Sequence, residues 1–363
     1  MRGAPAAAAL LILAVIGCVP VAARGATTIA GALRVQGNSL VDASGAAVRI
    51  AGVNRSGSEY ACAQGWGVFD GPTDAGSIDA IAGFGANAVR VPLNESCWLG
   101  VGRLRKWKSH YRRAVVRFVQ LLRRNHLYVI LDDHVSAPGR RIARDLLPLA
   151  AADHTPAFWR LVGRTFRRTS GVLFDLYNEP HGVSWHCWLL GCRVSRRPSP
   201  RSNKTYPAYR AAGMRRLLLA LRSSGARQPV LLGGLAFAKD LSHWLRYRPR
   251  DPARQLVASL HTYGPVGAPG TALCLAQCRR EVAAIARRYP VVAGEIGEYD
   301  CAHAYIDDFM SFADSHHISY LGWTWDAVAP GGWQCGSGPA LIENYNGSPT
   351  AFGVGLRDHL RAR

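Results

Sequence analysis

Eight short apolar runs recur along this chain: Val48–Val53, Ala88–Leu93, Tyr128–Leu131, Val172–Tyr177, Val230–Leu235, Leu256–Leu260, Val291–Ala293 and Ile318–Trp323. Each is rich in β-branched or aliphatic residues. Runs this short and this apolar read as strands covered on both faces, which is the habit of a parallel sheet. Amphipathic stretches lie between them, at Arg112–Leu122, Ala157–Phe166, Tyr209–Leu221, Glu281–Arg288, Ile306–Ala313 and Leu356–Leu360. In Arg112–Leu122, for instance, Ala114, Val115, Phe118, Val119 and Leu122 fall near helical spacing.

Strands alternating with helices imply βαβ units, and eight of them suffice to close a barrel. The expected fold is therefore α/β, a single (β/α)8 TIM barrel. The chain has 363 residues, a length that one such barrel can occupy. Residues 28–47 read as an N-terminal β-hairpin that plugs the bottom of the barrel. No linker or second domain stands out.

The first residues differ from the rest. One Arg precedes an apolar stretch from Ala6 to Val21, followed by the small residues Ala22-Ala23-Arg24-Gly25-Ala26. Residues 1–25 thus read as an export signal, with residues 26–363 as the mature catalytic domain. Within the signal, Val15-Ile16-Gly17-Cys18 is like a bacterial lipobox. A cleaved, secreted protein is favoured over one lipid-anchored at Cys18, and no transmembrane segment is expected beyond the signal. Of nine cysteines, the eight outside the signal form an even set in an exported chain, which points to disulfides. They fall after strand runs, so neighbouring loops can be joined as Cys62–Cys97 and Cys301–Cys335. Cys187–Cys192 and Cys274–Cys278 would close within single loops. The formal charge is +20. No nucleic-acid motif or aromatic-interleaved basic stripe accompanies it, so nucleic acid is not expected as a partner.

In a parallel barrel, chemistry gathers where the strands end. Asn54-Arg55 follow the first run, and Arg90 lies within the second. Asp132-Asp133-His134 follow the third, Asn178-Glu179-Pro180-His181 the fourth and His261-Thr262-Tyr263 the sixth. Gly294-Glu295-Ile296-Gly297-Glu298 follow the seventh, and Trp323-Thr324-Trp325-Asp326 the eighth. Only the fifth run lacks an ionisable group. Glu179 and Glu295 can face each other across such a rim, and two facing carboxylates are the minimum machinery for breaking a glycosidic bond. Arg90 can pair with Glu295, and Tyr263 can bond to it. Asn178 can bind the sugar 2-hydroxyl. His134 and His261 can orient the sugar and the acid, and Trp325 offers a flat face for a pyranose. Taken singly, each residue has a plainer reading: a solvated loop Glu, an Arg bridging an Asp, a core histidine, packing aromatics. Their shared rim is what favours a site. Trp66, Trp98, Trp185, Trp188 and Trp333 lie on the same loops and suggest an extended glycan cleft.

At these positions the chain resembles glycoside hydrolase family 5, the cellulase family of clan A. Leu176-Tyr177-Asn178-Glu179-Pro180 is similar to the family's Asn-Glu-Pro signature, and Gly294-Glu295-Ile296-Gly297 to its nucleophile segment. Arg90, His134, His261, Tyr263 and Trp325 come in the family's order. The resemblance runs from about residue 40 to 361. It implies a retaining double displacement with Glu179 as acid/base and Glu295 as nucleophile. It also implies carboxyl groups about 5–5.5 Å apart, and no metal or cofactor. Glu298 is read as a structural or rim residue. The expected activity is a secreted endo-β-1,4-glucanase acting on β-linked polysaccharide as a monomer. A β-mannanase or an exo-β-glucosidase uses the same catalytic set, and a catalytically silent carbohydrate-binding barrel is the non-enzyme alternative.

Overall fold

In the computed structural model, described for residues 1, 3, 31–199, 205–264, 274, 276–327 and 339–363, all eight runs are strands. They are β1 (Ala51–Asn54), β2 (Ala88–Asn94), β3 (Tyr128–Val135), β4 (Val172–Asp175), β5 (Val230–Gly233), β6 (Leu256–Tyr263), β7 (Val291–Gly297) and β8 (Ser319–Gly322). Every neighbouring pair is parallel, and β8 pairs with β1, so the sheet closes on itself. Closure leaves no free edge. Residue 18 and, apart from residues 1 and 3, the rest of the expected signal lie outside the described residues. Among the described residues, no helix is long and apolar enough to cross a membrane.

The outer layer comprises α1 (Ala75–Gly83), α2 (Lys108–Arg124), α3 (Thr155–Phe166), α4 (Met214–Arg222), α5 (Trp244–Tyr247), α6 (Ala276–Ala286), α7 (Ala304–Ser315) and α8 (Ala351–Arg361). Six match the expected amphipathic stretches. The fourth begins at Met214 rather than Tyr209, because Tyr209–Arg210 pairs with Arg193–Val194 in a small antiparallel ribbon. Helix α1 escapes a periodicity search because it is short and rich in Ala and Gly, but its start is marked. Asp74 accepts the backbone N–H of Ser77, a side-chain N-cap.

Strand periodicity sorts the side chains. On β2 to β7, Val89, Val91, Val129, Leu131, Phe174, Leu232, Ala258, Leu260 and Ala293 pack outward among the helices. Ala88, Ile130, Leu173, Leu231, Val257, Val292 and Leu321 point inward and form the lowest layer of the barrel. The hairpin Arg34–Gln36/Ser39–Val41 closes that layer from below, with Leu33 and Leu40 packed into it. Two residues further up each strand, the inward series becomes Arg90, Asp132, Asp175, Gly233, Ser259 and Gly294. The barrel therefore changes from dry to polar within one step of the pleat.

Disulfides Cys62–Cys97, Cys187–Cys192 and Cys274–Cys278 form as expected. The proposed partner of Cys301 is residue 335, which lies outside the described residues, as does Trp333.

Candidate active site

Arg90 organises the polar layer. It is 0% exposed, and its guanidinium reaches three carboxylates. Nη1 donates to Glu295 Oε1 at 2.8 Å, Nη2 lies 3.1 Å from Asp132 Oδ2, and Nε and Nη2 lie 3.2 and 3.1 Å from Asp175 Oδ2. Nη2 also donates to Asn178 Oδ1 at 2.9 Å, and Nη1 to Asn54 Oδ1 at 3.1 Å. A planar, permanently charged fork is suited to hold several acceptors in fixed directions. Burial works against its charge, while Asp132, Asp175 and Glu295 hold its pKa above the ordinary value. Burial pushes Asp132 and Asp175 up to about 7, against the pull of Arg90. Both readings of Arg90 thus meet in one residue. It bridges aspartates and braces Glu295, and it sits too deep to touch a sugar directly.

Glu295 reaches the interior by a break in β7. The register of β7 against β8 shifts between Ala293 and Ile296, and that of β6 against β7 shifts at Leu260/His261. Such an irregularity re-aims a side chain. Without it, Glu295 would follow Ala293 outward. Gly294 leaves space beside it. A Cβ there would stand 3.1 Å from His261 Nε2 and 3.2 Å from Ser259 Oγ, tighter than ordinary contact.

Glu295 accepts a second hydrogen bond at Oε2 from the Tyr263 hydroxyl. Burial, and then the adjacent Glu295 carboxylate, raise the pKa of that phenol well above its usual value, so it stays a donor. Glu179 stands opposite. Its backbone is left-handed, φ 55°, which is unusual away from glycine and is often kept at functional positions. His261 Nδ1 lies between the two carboxylates, 3.3 Å from Glu179 Oε1 and 3.3 Å from Glu295 Oε2. One oxygen of each glutamate and the His261 nitrogen all lie within 4.8 Å of one another. Among the described residues, this is the set closest to a metal-ligand cluster. Glu295 is already committed to Arg90 and Tyr263, so an ion there would compete with that arrangement.

His134, at the end of β3, bonds Asp132 Oδ2 through Nδ1 at 2.7 Å, and its Nε2 is 3.4 Å from Asn178 Nδ2. The expected sugar platform, Trp325, is fully buried edge-on against Phe84. Its neighbour Trp323 faces the site instead, stacked on His134 with ring centroids 5.3 Å apart and planes 12° apart. Only Thr324 lies between the two tryptophans, but both come after the end of β8 at Gly322, where strand alternation no longer fixes which one turns inward. Glu298 points away. Its carboxylate accepts the N–H groups of Tyr305 and Ile306, capping α7. Of the loop tryptophans, Trp98, Trp185 and Trp188 are buried, and Trp66 is 66% exposed.

Asn54 stands on the rim in the sequence but with no role assigned to it, and sequence reasoning missed Asp175 and Phe237. Asp175 carries the signal of a polar residue in an otherwise apolar run. Phe237 comes after the fifth strand, the one without an ionisable group, and stacks on His181 with ring centroids 4.3 Å apart.

Residues 41–328 match the family described as Cellulase (glycosyl hydrolase family 5). The chain belongs to glycosyl hydrolase family 5. It is a glycosidase by that membership. It is 26% identical over 316 residues to a mannan endo-1,4-beta-mannosidase of Streptomyces lividans, covering 84% of this chain and 69% of that one. It is 24% identical over 156 residues to endoglucanase E-5 of Thermobifida fusca, covering 43% of this chain and 29% of that one. In fold it is similar to a β-glucanase from Saccharophagus degradans in complex with cellotetraose, with a TM-score of 0.65, 18% identity and coverage of 91% and 93%. An endo-β-1,4-glucanase of Xanthomonas axonopodis pv. citri gives a TM-score of 0.62 at 20% identity, with coverage of 87% and 100%.

Proposed function

We propose that this family 5 enzyme is a secreted, retaining endo-β-1,4-glycanase that cleaves a β-1,4-glucan. The carrying observation is the short gap between Glu179 and Glu295, which bring one oxygen each within 4.8 Å of the other. Inverting enzymes keep their carboxyl groups about 6.5–9.5 Å apart to admit a water, whereas retaining ones hold them about 5–5.5 Å apart.

The partners of each carboxylate divide the roles. Glu295 is held by a buried cation and a phenol, both of which donate to it and neither of which can take a proton from it. That suits the nucleophile, whose oxygen bonds to the anomeric carbon as the glycosidic C–O bond breaks. Glu179 shares an imidazole and suits the acid, which gives its proton to the departing oxygen. In the second step Glu179 takes a proton from water as that water displaces Glu295. Asn178 has its Oδ1 held by Arg90 and one amide N–H directed at His134 Nε2, which leaves the other amide N–H to meet a sugar 2-hydroxyl. His261 and Tyr263 position the two glutamates. Trp323 and His134, rather than Trp325, form the wall against which the sugar lies. No cofactor is needed for these steps.

A β-1,4-mannan is the second reading, favoured by the Streptomyces lividans relative that aligns over most of this chain. We further propose that residues 1–25 direct export and that residues 26–363 act as a monomer outside the cell. The test is sugar release from carboxymethyl-cellulose, mixed-linkage glucan, glucomannan, galactomannan and laminarin, with NMR of the first product. Cleavage of a β-1,4 backbone with a β-anomeric product is expected. An α-anomeric product would overturn retention, and cleavage of laminarin alone would overturn the β-1,4 assignment.

A further inference from the structure

The barrel end opposite the carboxylates holds its own concentration of charge. A cavity of about 640 Å³ opens there, between the hairpin, the segment entering β6 and the end of α6. Four arginines line it: Arg248, Arg250, Arg254 and Arg288. The one carboxylate in the wall, Asp251, is already satisfied. Arg222 donates Nε to its Oδ1 and Nη2 to its Oδ2, both at 2.9 Å, and the N–H groups of Ala253 and Gln255 add 3.1 and 2.8 Å bonds. Asp251 therefore has little left to offer the four.

Arg248 is fixed in place. Its Nε donates to the Tyr289 hydroxyl at 2.7 Å, and its guanidinium carbon lies 5.0 Å from the centre of that ring. Arg250, Arg254 and Arg288 are exposed and have no side-chain hydrogen bond or ion pair among the described residues. Arg254 is also held in the left-handed region, φ 56°, by a turn in which its N–H bonds the Asp251 carbonyl at 3.1 Å. A non-glycine residue there is sterically disfavoured. Like charges sharing one concavity repel, and an anion relieves that repulsion.

We propose that this cavity is a binding site for linear polyphosphate, a polymer that carries a phosphate on every repeat. Guanidinium forks match phosphate oxygens in pairs. Four of them, three uncommitted, exceed what one small anion can occupy. The volume lies within the range of about 300–1,000 Å³ of sites for drug-sized ligands, room for a few phosphate-bearing repeats of a longer chain. A polymer that places charge on every repeat can engage several forks at once, and the chain's net charge of +20 draws it in from a distance. Held from below, the enzyme would present its glutamates away from the polymer. This proposal does not depend on which glycan is cut.

The test is binding of fluorescently labelled polyphosphate to the full-length protein at physiological ionic strength. The variant Arg250→Ala/Arg254→Ala/Arg288→Ala is compared with Arg164→Ala/Arg168→Ala/Arg216→Ala, which removes the same charge from exposed positions elsewhere. The cavity variant is expected to lose about tenfold or more in affinity, while the control stays within about twofold. Both should hydrolyse glycan as wild type does. If the cavity variant does not fold, Arg288→Ala alone, beyond the end of α6, should still cost about threefold. Equal losses in the two triple variants would assign binding to diffuse charge and overturn the site. Equal affinity for polygalacturonate would overturn the phosphate class. Competition by inorganic phosphate at the same phosphate concentration would reduce the site to one for a free ion and overturn the polymer. No binding of polyphosphate by wild type would overturn the proposal outright.

Discussion

The two ends of this barrel are built on the same strands and obey opposite rules. At the lower end, Ile130, Leu173, Leu231, Val257, Val292 and Leu321 meet Leu33 and Leu40 of the hairpin, all of them buried apolar side chains. One pleat higher, Arg90, Asp132 and Asp175 occupy positions of similar burial. The lower layer gains stability from each side chain it removes from water. The upper layer buries charge, which costs free energy unless every charge is matched. Arg90 offsets part of that cost, one cation shared by Asp132, Asp175 and Glu295, and burial reduces the remaining charge by pushing the two aspartates up to about 7. A closed sheet can thus separate its two tasks along the strand axis, so a substitution should damage either rate or stability according to its height in the barrel.

The strongest way to break that division is at the glutamates. Glu295→Gln keeps the shape and the hydrogen bond from Arg90 but removes the nucleophile. Turnover should fall by more than the factor of about 10²–10⁴ expected for losing an acid or base alone, as in Glu179→Gln. Thermal unfolding should change little. A Glu295→Gln enzyme that keeps a tenth of wild-type turnover would show that the catalytic residue lies elsewhere. The converse substitution is Leu231→Ala in the lower layer. It should cost about 2–5 kcal/mol in denaturant unfolding through the lost transfer energy and the cavity left behind. Per folded molecule, kcat should be unchanged. A large fall in kcat would mean that the two layers are mechanically coupled.

A smaller effect sharpens the boundary within the upper layer itself. Trp323→Ala should raise KM by about tenfold through loss of a flat sugar contact, with a modest change in stability. Trp325→Ala, only two residues on, should act the other way. It removes a side chain packed on Phe84, so stability should fall by about 3–5 kcal/mol with KM unchanged. Kinetics and denaturation of the two variants side by side decide whether the sugar wall is assigned to the right tryptophan.

That pair also marks the limit of what is legible in the sequence. Eight apolar runs alternating with helical ones are enough for the barrel, because period and length dictate which residues can be buried on both sides. Glu179, Glu295, Arg90, His134, Asn178, His261 and Tyr263 stand within those runs or just past their ends, and the structure brings all of them to one end of the barrel. Trp325 holds a similar place in the sequence yet turns away, because it lies beyond the regular strand, where alternation no longer fixes direction. Asp175 is hidden for a different reason. It lies within a run, and only the closed geometry shows that the position faces Arg90.

The smallest expected effect concerns a carboxyl on neither side of the division. Asp133 is next to Asp132 on β3 and so points outward, into the layer between sheet and helices. It is fully buried, and neither of its oxygens has a hydrogen-bond partner among the described residues. Burial, and then the nearby Glu95, raise its pKa well above the usual value, and burial pushes Glu95 itself up to about 7. In the unfolded chain both would ionise near pH 4. Between that pH and their folded pKa values the folded state holds more protons, so these groups stabilise the fold at acid pH. That contribution is lost as the pH rises from about 4 through the folded pKa values, about 7 for Glu95. The slope is at most about 1.4 kcal/mol per pH unit for each proton retained. Asp133→Asn replaces the acid with a neutral group of similar size. It should flatten the fall of denaturant stability between pH 5 and pH 7 by up to that slope and leave the glycan-cleaving rate at pH 5 within about twofold. An unchanged slope would mean that Asp133 is already ionised in the folded protein, with a partner that burial alone does not supply.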